Sequence, residues 1–259
     1  MKSRFFVSVI LAVTLFTPGL HAAETAAQII AKARAYLGKE SVLNSVTTVT
    51  FSGHLESVER VPSPEDATKF VERPVRFPIE ITFQKPYQQR IVLTRSNTIE
   101  TTALDGYEAW RRRADAANPT RWQLSLLNAR EIKQIRANTW ENLNFFAGLE
   151  KVGGSVSVVG EDTVDGKECT KVAFKHSAEI VFMRYFDKAT GRLVKTETDS
   201  GGEIREEGEL VVSGIRFPRK VINKAPDGQT TTIVFEKAAV NQLVAPSEFA
   251  VPAFQPASP

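Results

Sequence analysis

Cysteine is almost absent from this chain of 259 residues: Cys169 stands alone, so an intramolecular disulfide is impossible in any compartment. The fold must be held by its core, and a chain of this length can bury roughly 70% of its unfolded surface. Past residue 22 no segment approaches ~20 apolar residues in a row, so the sequence predicts no transmembrane helix. Histidine is scarce. His54 and His176 lack Cys, Asp or Glu partners at ligand spacing, so no metal site is expected. There is no G-x-G-x-x-G or Walker-type loop, and no cofactor is expected. Gly153-Gly154-Ser155 lacks the strand–turn–helix setting of a nucleophile elbow, although a triad assembled in space stays open. Charge of one sign is missing as well, with 33 basic against 30 acidic residues, which gives no electrostatic argument for nucleic acid.

What is present begins with a leader. Lys2 and Arg4 precede an apolar run from Phe5 to Phe16, broken by Thr17-Pro18-Gly19 and followed by Leu20-His21-Ala22. Residues 1–22 therefore read as a secretory signal without a lipobox cysteine, and export as a soluble, non-lipidated protein is expected. Residues 23–252 are expected to form one domain, and the tail 253–259 to be disordered.

The clearest pattern runs from Phe77 to Trp110. Phe77, Ile79, Ile81 and Phe83 alternate with Pro78, Glu80, Thr82 and Gln84, the period of a strand with one dry face. Lys85-Pro86 breaks the run, a second alternation follows, and Asp105-Gly106 leads to Tyr107 and Trp110. Around this lie a helix over 25–38, capped by Thr25 and stopped by Gly38, and a strand over Ser45–Glu59. Asn128 caps a second helix with a stripe of Ile132, Ile135, Thr139, Leu143 and Phe146. Turn signals at Asp165-Gly166, Thr190-Gly191, Gly201-Gly202 and Asp227-Gly228 then mark an antiparallel meander. The order of about five strands, a helical insert and about six strands implies an α+β fold: a mainly antiparallel, strongly curved sheet with helices covering its concave face.

Polar clusters carry little chemistry. Glu161, Asp162, Asp165 and Glu168 flank a plain hairpin and lack calcium-loop spacing. Arg111-Arg112-Arg113 reads as a charged strand end that discourages edge pairing, with a phosphate or headgroup contact as the rival. Cys169 has no activating neighbour. The apolar faces are more informative. In the strand Glu179–Asp187, Ile180, Phe182 and Phe186 share one face while Val181, Met183 and Tyr185 share the other, so both need cover. A curved sheet under helical covers can leave an apolar cavity. The expected lining comes from the dry register: Val49, Phe51, Ile81, Phe83, Leu93 and Trp110, with Leu143 and Phe146 from the insert helix.

In this order the motifs resemble the LolA/LolB superfamily of periplasmic lipoprotein carriers. The resemblance rests on AAQIIAKARAYLG running into VTTVTFSGHLE, on Phe83-Gln84-Lys85-Pro86 followed by Arg90, and on Asp105 to Trp110. Tyr185-Phe186-Asp187 to Leu193 and Pro246-Ser247-Glu248-Phe249 with Pro252 complete it. It implies an eleven-stranded half-barrel with a helical lid over a cavity for lipid or lipoprotein acyl chains. It also implies a monomer in the periplasm, serving an inner-membrane donor and an outer-membrane acceptor, and no enzyme. In the carriers an arginine before the proline helps hold the lid; here Lys85 stands there, as an expected gate. The same fold implies an alternative, a periplasmic envelope sensor of the RseB type that signals to a membrane partner.

Overall fold

The alternation at Phe77–Phe83 becomes the middle of a long hairpin in the computed structural model, which describes residues 24–253 apart from residue 67. The expected leader, and all of the expected tail but Ala253, lie outside the described residues. Strands β1 (Thr48–Pro62) and β2 (Phe70–Gln84) pair along their full length, so β2 starts well before Phe77, where the alternation begins. The chain continues as an antiparallel meander through β3 (Gln88–Thr94), β4 (Thr98–Asp105), β5 (Glu108–Asp115) and β6 (Trp122–Leu126).

A second meander follows a helical insert. It contains β7 (Ser155–Val164), β8 (Lys167–Lys175), β9 (Val181–Asp187), β10 (Leu193–Glu197) and β11 (Glu203–Glu207). The β7–β8 turn is Asp165-Gly166 with φ of 52° and 76°, the paired left-handed conformation that suits a two-residue hairpin. Next come the short strands β12 (Leu210–Val212) and β13 (Ile215–Phe217), then β14 (Lys220–Lys224) and β15 (Thr230–Val240). Strand β15 returns to pair with β1, joining the two meanders into one sheet of 13 strands. Its order is β6-β5-β4-β3-β2-β1-β15-β14-β11-β10-β9-β8-β7. The eleven strands implied by the resemblance are exceeded, and β12–β13 leaves the sheet as a separate hairpin.

That hairpin joins the helices in covering the inner face. Helix α1 (Ala26–Leu37) carries the expected Thr25 cap, which accepts from the Gln28 amide while the Gln28 side chain answers the Thr25 amide. Helix α2 (Glu40–Asn44) is a single turn. Helix α3 (Ala129–Asn144) has a matching capping box between Asn128 and Glu131. It stops before Phe146, contrary to the sequence-predicted stripe. Phe145 and Phe146 both take left-handed backbone, with φ of 48° and 71°. Such residues cost about 1–3 kcal/mol each and persist only when their surroundings hold them. The reward is placement. Phe145 enters the cluster around Phe51, Phe83 and Phe217, whereas Phe146 enters the cluster of Trp140, Phe174 and Phe186.

Candidate functional site

Strand register decides which side chains meet. Phe83 lies opposite Val49 and Gln89, and Ile81 opposite Phe51 and Ile91. Residues directly opposite share a face, so this face looks toward α3, where the Thr139 hydroxyl donates to the Gln89 side-chain oxygen at 3.0 Å. Between the face and its cover lies a cavity of about 290 Å³. Its apolar wall includes Phe51, Ile81, Phe83, Phe145, Phe146 and Phe217. Phe51 stacks on Phe235 at 4.5 Å between centroids and meets Phe217 edge-on at 5.2 Å, arrangements that stabilise aromatic clusters.

Of the residues expected to line a pocket, Phe51, Ile81, Phe83 and Phe146 reach this cavity. Val49 and Leu143 are fully buried in the adjoining core, one layer behind it. Leu93 lies opposite Ile79, packed on the same core but outside the cavity lining. Trp110 is corrected by the register. It sits opposite Ala103, Ala103 opposite Arg90, Arg90 opposite Thr82, and Thr82 opposite Thr50. Trp110 therefore belongs to the outer face. There its indole N–H donates to the Phe249 carbonyl at 2.9 Å, and Glu248 pairs with Arg90 at 3.5 Å. The C-terminal segment buries it there, on the side opposite to the expected dry register.

The opposite wall is polar, and sequence reasoning missed it. It includes Asn138 and Glu141 from α3, with Arg184, Thr196, Glu206 and Asn223 from the second meander. Glu141 is 5% exposed although it sits on a helix covering a core. His176 Nε2 approaches one of its oxygens at 2.7 Å, and Arg184 Nη2 lies 3.2 Å from the other. Arg184 aligns with Thr196, Thr196 with Ile204, and Glu206 with Val221, so these groups share the inner face. Burial pushes the Glu206 carboxyl above the usual carboxylate range, against the opposing pull of Arg184 and Arg192. The signal in sequence was a charged residue within an apolar strand, Arg184 in VFMRYFD.

The cover is tied together by Arg34 of α1, which is 4% exposed. Its guanidinium donates to the Asn144 and Phe145 carbonyls at 2.8 and 3.0 Å, at the C-terminus of α3. It also grips Glu40 through two bonds at 2.9 and 2.8 Å and reaches Asn44 at 2.8 Å. A cation is favourable at a helix C-terminus, and the planar fork suits this bidentate contact. Lys85, the expected gate, makes no side-chain hydrogen bond or ion pair among the described residues. Its ammonium is pulled below the usual lysine range by burial and then by the charge of Arg34. The helix carbonyls are thus held from α1.

Other polar candidates are accounted for locally. His54 spends both ring nitrogens on Glu236 and Glu56, at 2.9 and 3.1 Å. Neither His54 nor His176 hydrogen-bonds a serine, threonine or cysteine among the described residues. Asp165 pairs with Arg205 and Glu161 with Lys188, both at 2.6 Å. Arg113 pairs with Glu100 at 3.0 Å.

With this geometry in place, known structures show what the architecture matches. A LolA superfamily protein from Nitrosomonas europaea superposes with a TM-score of 0.56 at 13% identity, over 88% of this chain and 99% of that one. The fold is LolA-like. A DUF1329 family protein from Desulfovibrio piger gives 0.54 at 11% identity, over 87% of this chain and 97% of that one. A domain from Vibrio parahaemolyticus, assigned by its name to outer membrane lipoprotein sorting, gives 0.53 at 10% identity, over 86% and 97%. No protein-family model and no curated protein matches the chain. Among the described residues no helix is long and apolar enough to cross a membrane.

Proposed function

We propose that this protein is a periplasmic carrier that shields an acyl chain of a lipid or lipoprotein between its curved sheet and the cover formed by α1, α3 and the β12–β13 hairpin. The observation that carries this reading is the cavity of about 290 Å³ faced by Phe51, Ile81 and Phe83 within a LolA-like fold. Its volume lies at the small end of ligand pockets, which run to roughly 300–1,000 Å³. Each methylene moved out of water contributes about 0.8 kcal/mol, so a chain of ten methylenes gains roughly 8 kcal/mol from shielding alone. That gain needs an enclosed apolar wall and no reacting group, so binding, without catalysis, is the activity proposed. An inner-membrane donor and an outer-membrane acceptor would complete such a transfer. Loading and release require the cover to move, and Arg34 is the contact that such movement must break.

Calorimetric titration of delipidated protein with a medium-chain fatty acid tests the reading. Binding with a negative ΔCp, the marker of apolar burial, is the expected result. A protein that binds neither fatty acid nor nonionic detergent would overturn it.

A further inference from the structure

The polar wall holds a group that the core does not need. Arg184 is 9% exposed, and its guanidinium carbon lies 5.1, 5.3 and 5.9 Å from the ring centres of Phe146, Phe174 and Phe182. A guanidinium carries five N–H donors. Here one ion pair is made, Nη2 to Glu141 at 3.2 Å, and the buried Nε has no partner among the described residues. The other Glu141 oxygen is already engaged by His176. A buried charge that is paired on one side only is costly, and a purely structural position is served as well or better by a hydrocarbon side chain.

We propose that Arg184 receives the carboxylate of a single-chain amphiphile inside the cavity, with the hydrocarbon tail lying against Phe51, Ile81 and Phe83. This rests on the acyl-chain reading of the cavity and names its ligand class. A carboxylate offers two oxygens to the planar guanidinium, the geometry in which charge-assisted bonds are strongest. Glu206, which faces the same space and has no side-chain hydrogen bond among the described residues, holds its proton to higher pH than a free glutamate. When protonated it donates to the same ligand; when ionised it opposes it. Thr196 and Asn223 add neutral hydrogen-bonding groups. The second basic group of the lining, Arg216, is committed to the Tyr36 carbonyl at 2.5 Å and to Glu209 at 3.7 Å. The small volume favours one chain over a diacyl lipid.

The test is a headgroup series on one tail. Delipidated wild-type protein is titrated with dodecanoate, dodecanol and dodecyltrimethylammonium, each below its micelle concentration, followed by calorimetry. The expected result is dodecanoate at least tenfold tighter than dodecanol, with the cationic amphiphile weakest. Because Arg184→Gln alone strands Glu141, the same series is run on the Arg184→Gln, Glu141→Gln double variant, with circular dichroism to establish folding. That variant should lose the preference, binding dodecanoate no tighter than dodecanol. Equal affinities of wild type for acid and alcohol would overturn the proposal and leave the cavity reading intact. A tenfold preference surviving in the folded double variant would overturn it as well. Wild type that binds none of the three removes the cavity reading itself.

Discussion

Two parts of one sheet line the cavity and differ in kind. On the β1–β3 side the inner positions are Phe51, Ile81, Phe83 and Ile91. On the β9–β11 side they are Phe182, Arg184, Thr196, Ile204 and Glu206. Both walls follow the same period of two, so the difference lies in side-chain chemistry alone. A core that only had to hold the sheet and helices together would gain nothing from the polar side, where a charge pair must be desolvated. Under the proposal above, the apolar wall takes the hydrocarbon tail and the polar wall its headgroup.

The largest expected effect comes from putting the chemistry of one wall on the other. Phe83→Asp places an unpaired carboxylate among Phe51, Ile81 and Phe145, at a cost of several kcal/mol. Ligand affinity should fall at least tenfold and the thermal transition by roughly 10 °C or more, since about 1 kcal/mol moves a domain of this size by 2–4 °C. Calorimetry and circular dichroism read both. Affinity equal to the parent in a folded variant would place the ligand elsewhere.

Next is the tie across the cover. Arg34→Ala removes the contacts to Glu40, Asn44 and the carbonyls of Asn144 and Phe145. The left-handed pair Phe145-Phe146 then loses part of what holds it. A loss of about 2–4 kcal/mol is expected in urea unfolding, together with faster amide exchange in the last turn of α3. A Lys85→Leu variant should leave that exchange unchanged, which distinguishes the observed tie from the expected gate.

A smaller effect tests the polar wall through pH. The Glu206 carboxyl is raised in the folded state, chiefly by burial. Its contribution to stability is therefore fully present below the unfolded value, roughly pH 4.3, and is lost as pH rises through the folded value. Glu206→Gln should melt a few degrees higher than wild type at pH 8, with the gain vanishing near pH 4. A gain that is constant over that range would mean that the carboxyl is not desolvated.

The smallest effect concerns the outer face. Trp110→Phe loses the bond to the Phe249 carbonyl, about 1 kcal/mol, and should leave ligand affinity unchanged. A tenfold loss of affinity would return Trp110 to the cavity side.

The apolar side of this contrast was legible in the sequence; the polar side was not. Alternation over Phe77–Phe83 marked the dry register of β2 because one face is wholly apolar. Asp165-Gly166 and Asp227-Gly228 marked hairpin turns because few residues tolerate left-handed backbone. Trp110 misled because the outer face is covered locally by the segment ending at Phe249, and periodicity cannot say which side a covered residue faces. The pairing of β1 with β15 depends on closure between distant strands, for which no local signal exists. The polar wall was hidden for a related reason. Arg184, Glu141 and His176 lie on β9, on α3 and in the β8–β9 connection, and acquire their meaning only when register and helix docking bring them together.

One measurement tests the central claim most directly: the bromine position in crystals grown with 12-bromododecanoate, located by anomalous scattering. The expected peak lies within the cavity among Phe51, Phe83 and Phe217, with density for the carboxylate at Arg184. A bromine found only on the outer surface, with the cavity unchanged, would contradict an acyl-chain site beneath the cover.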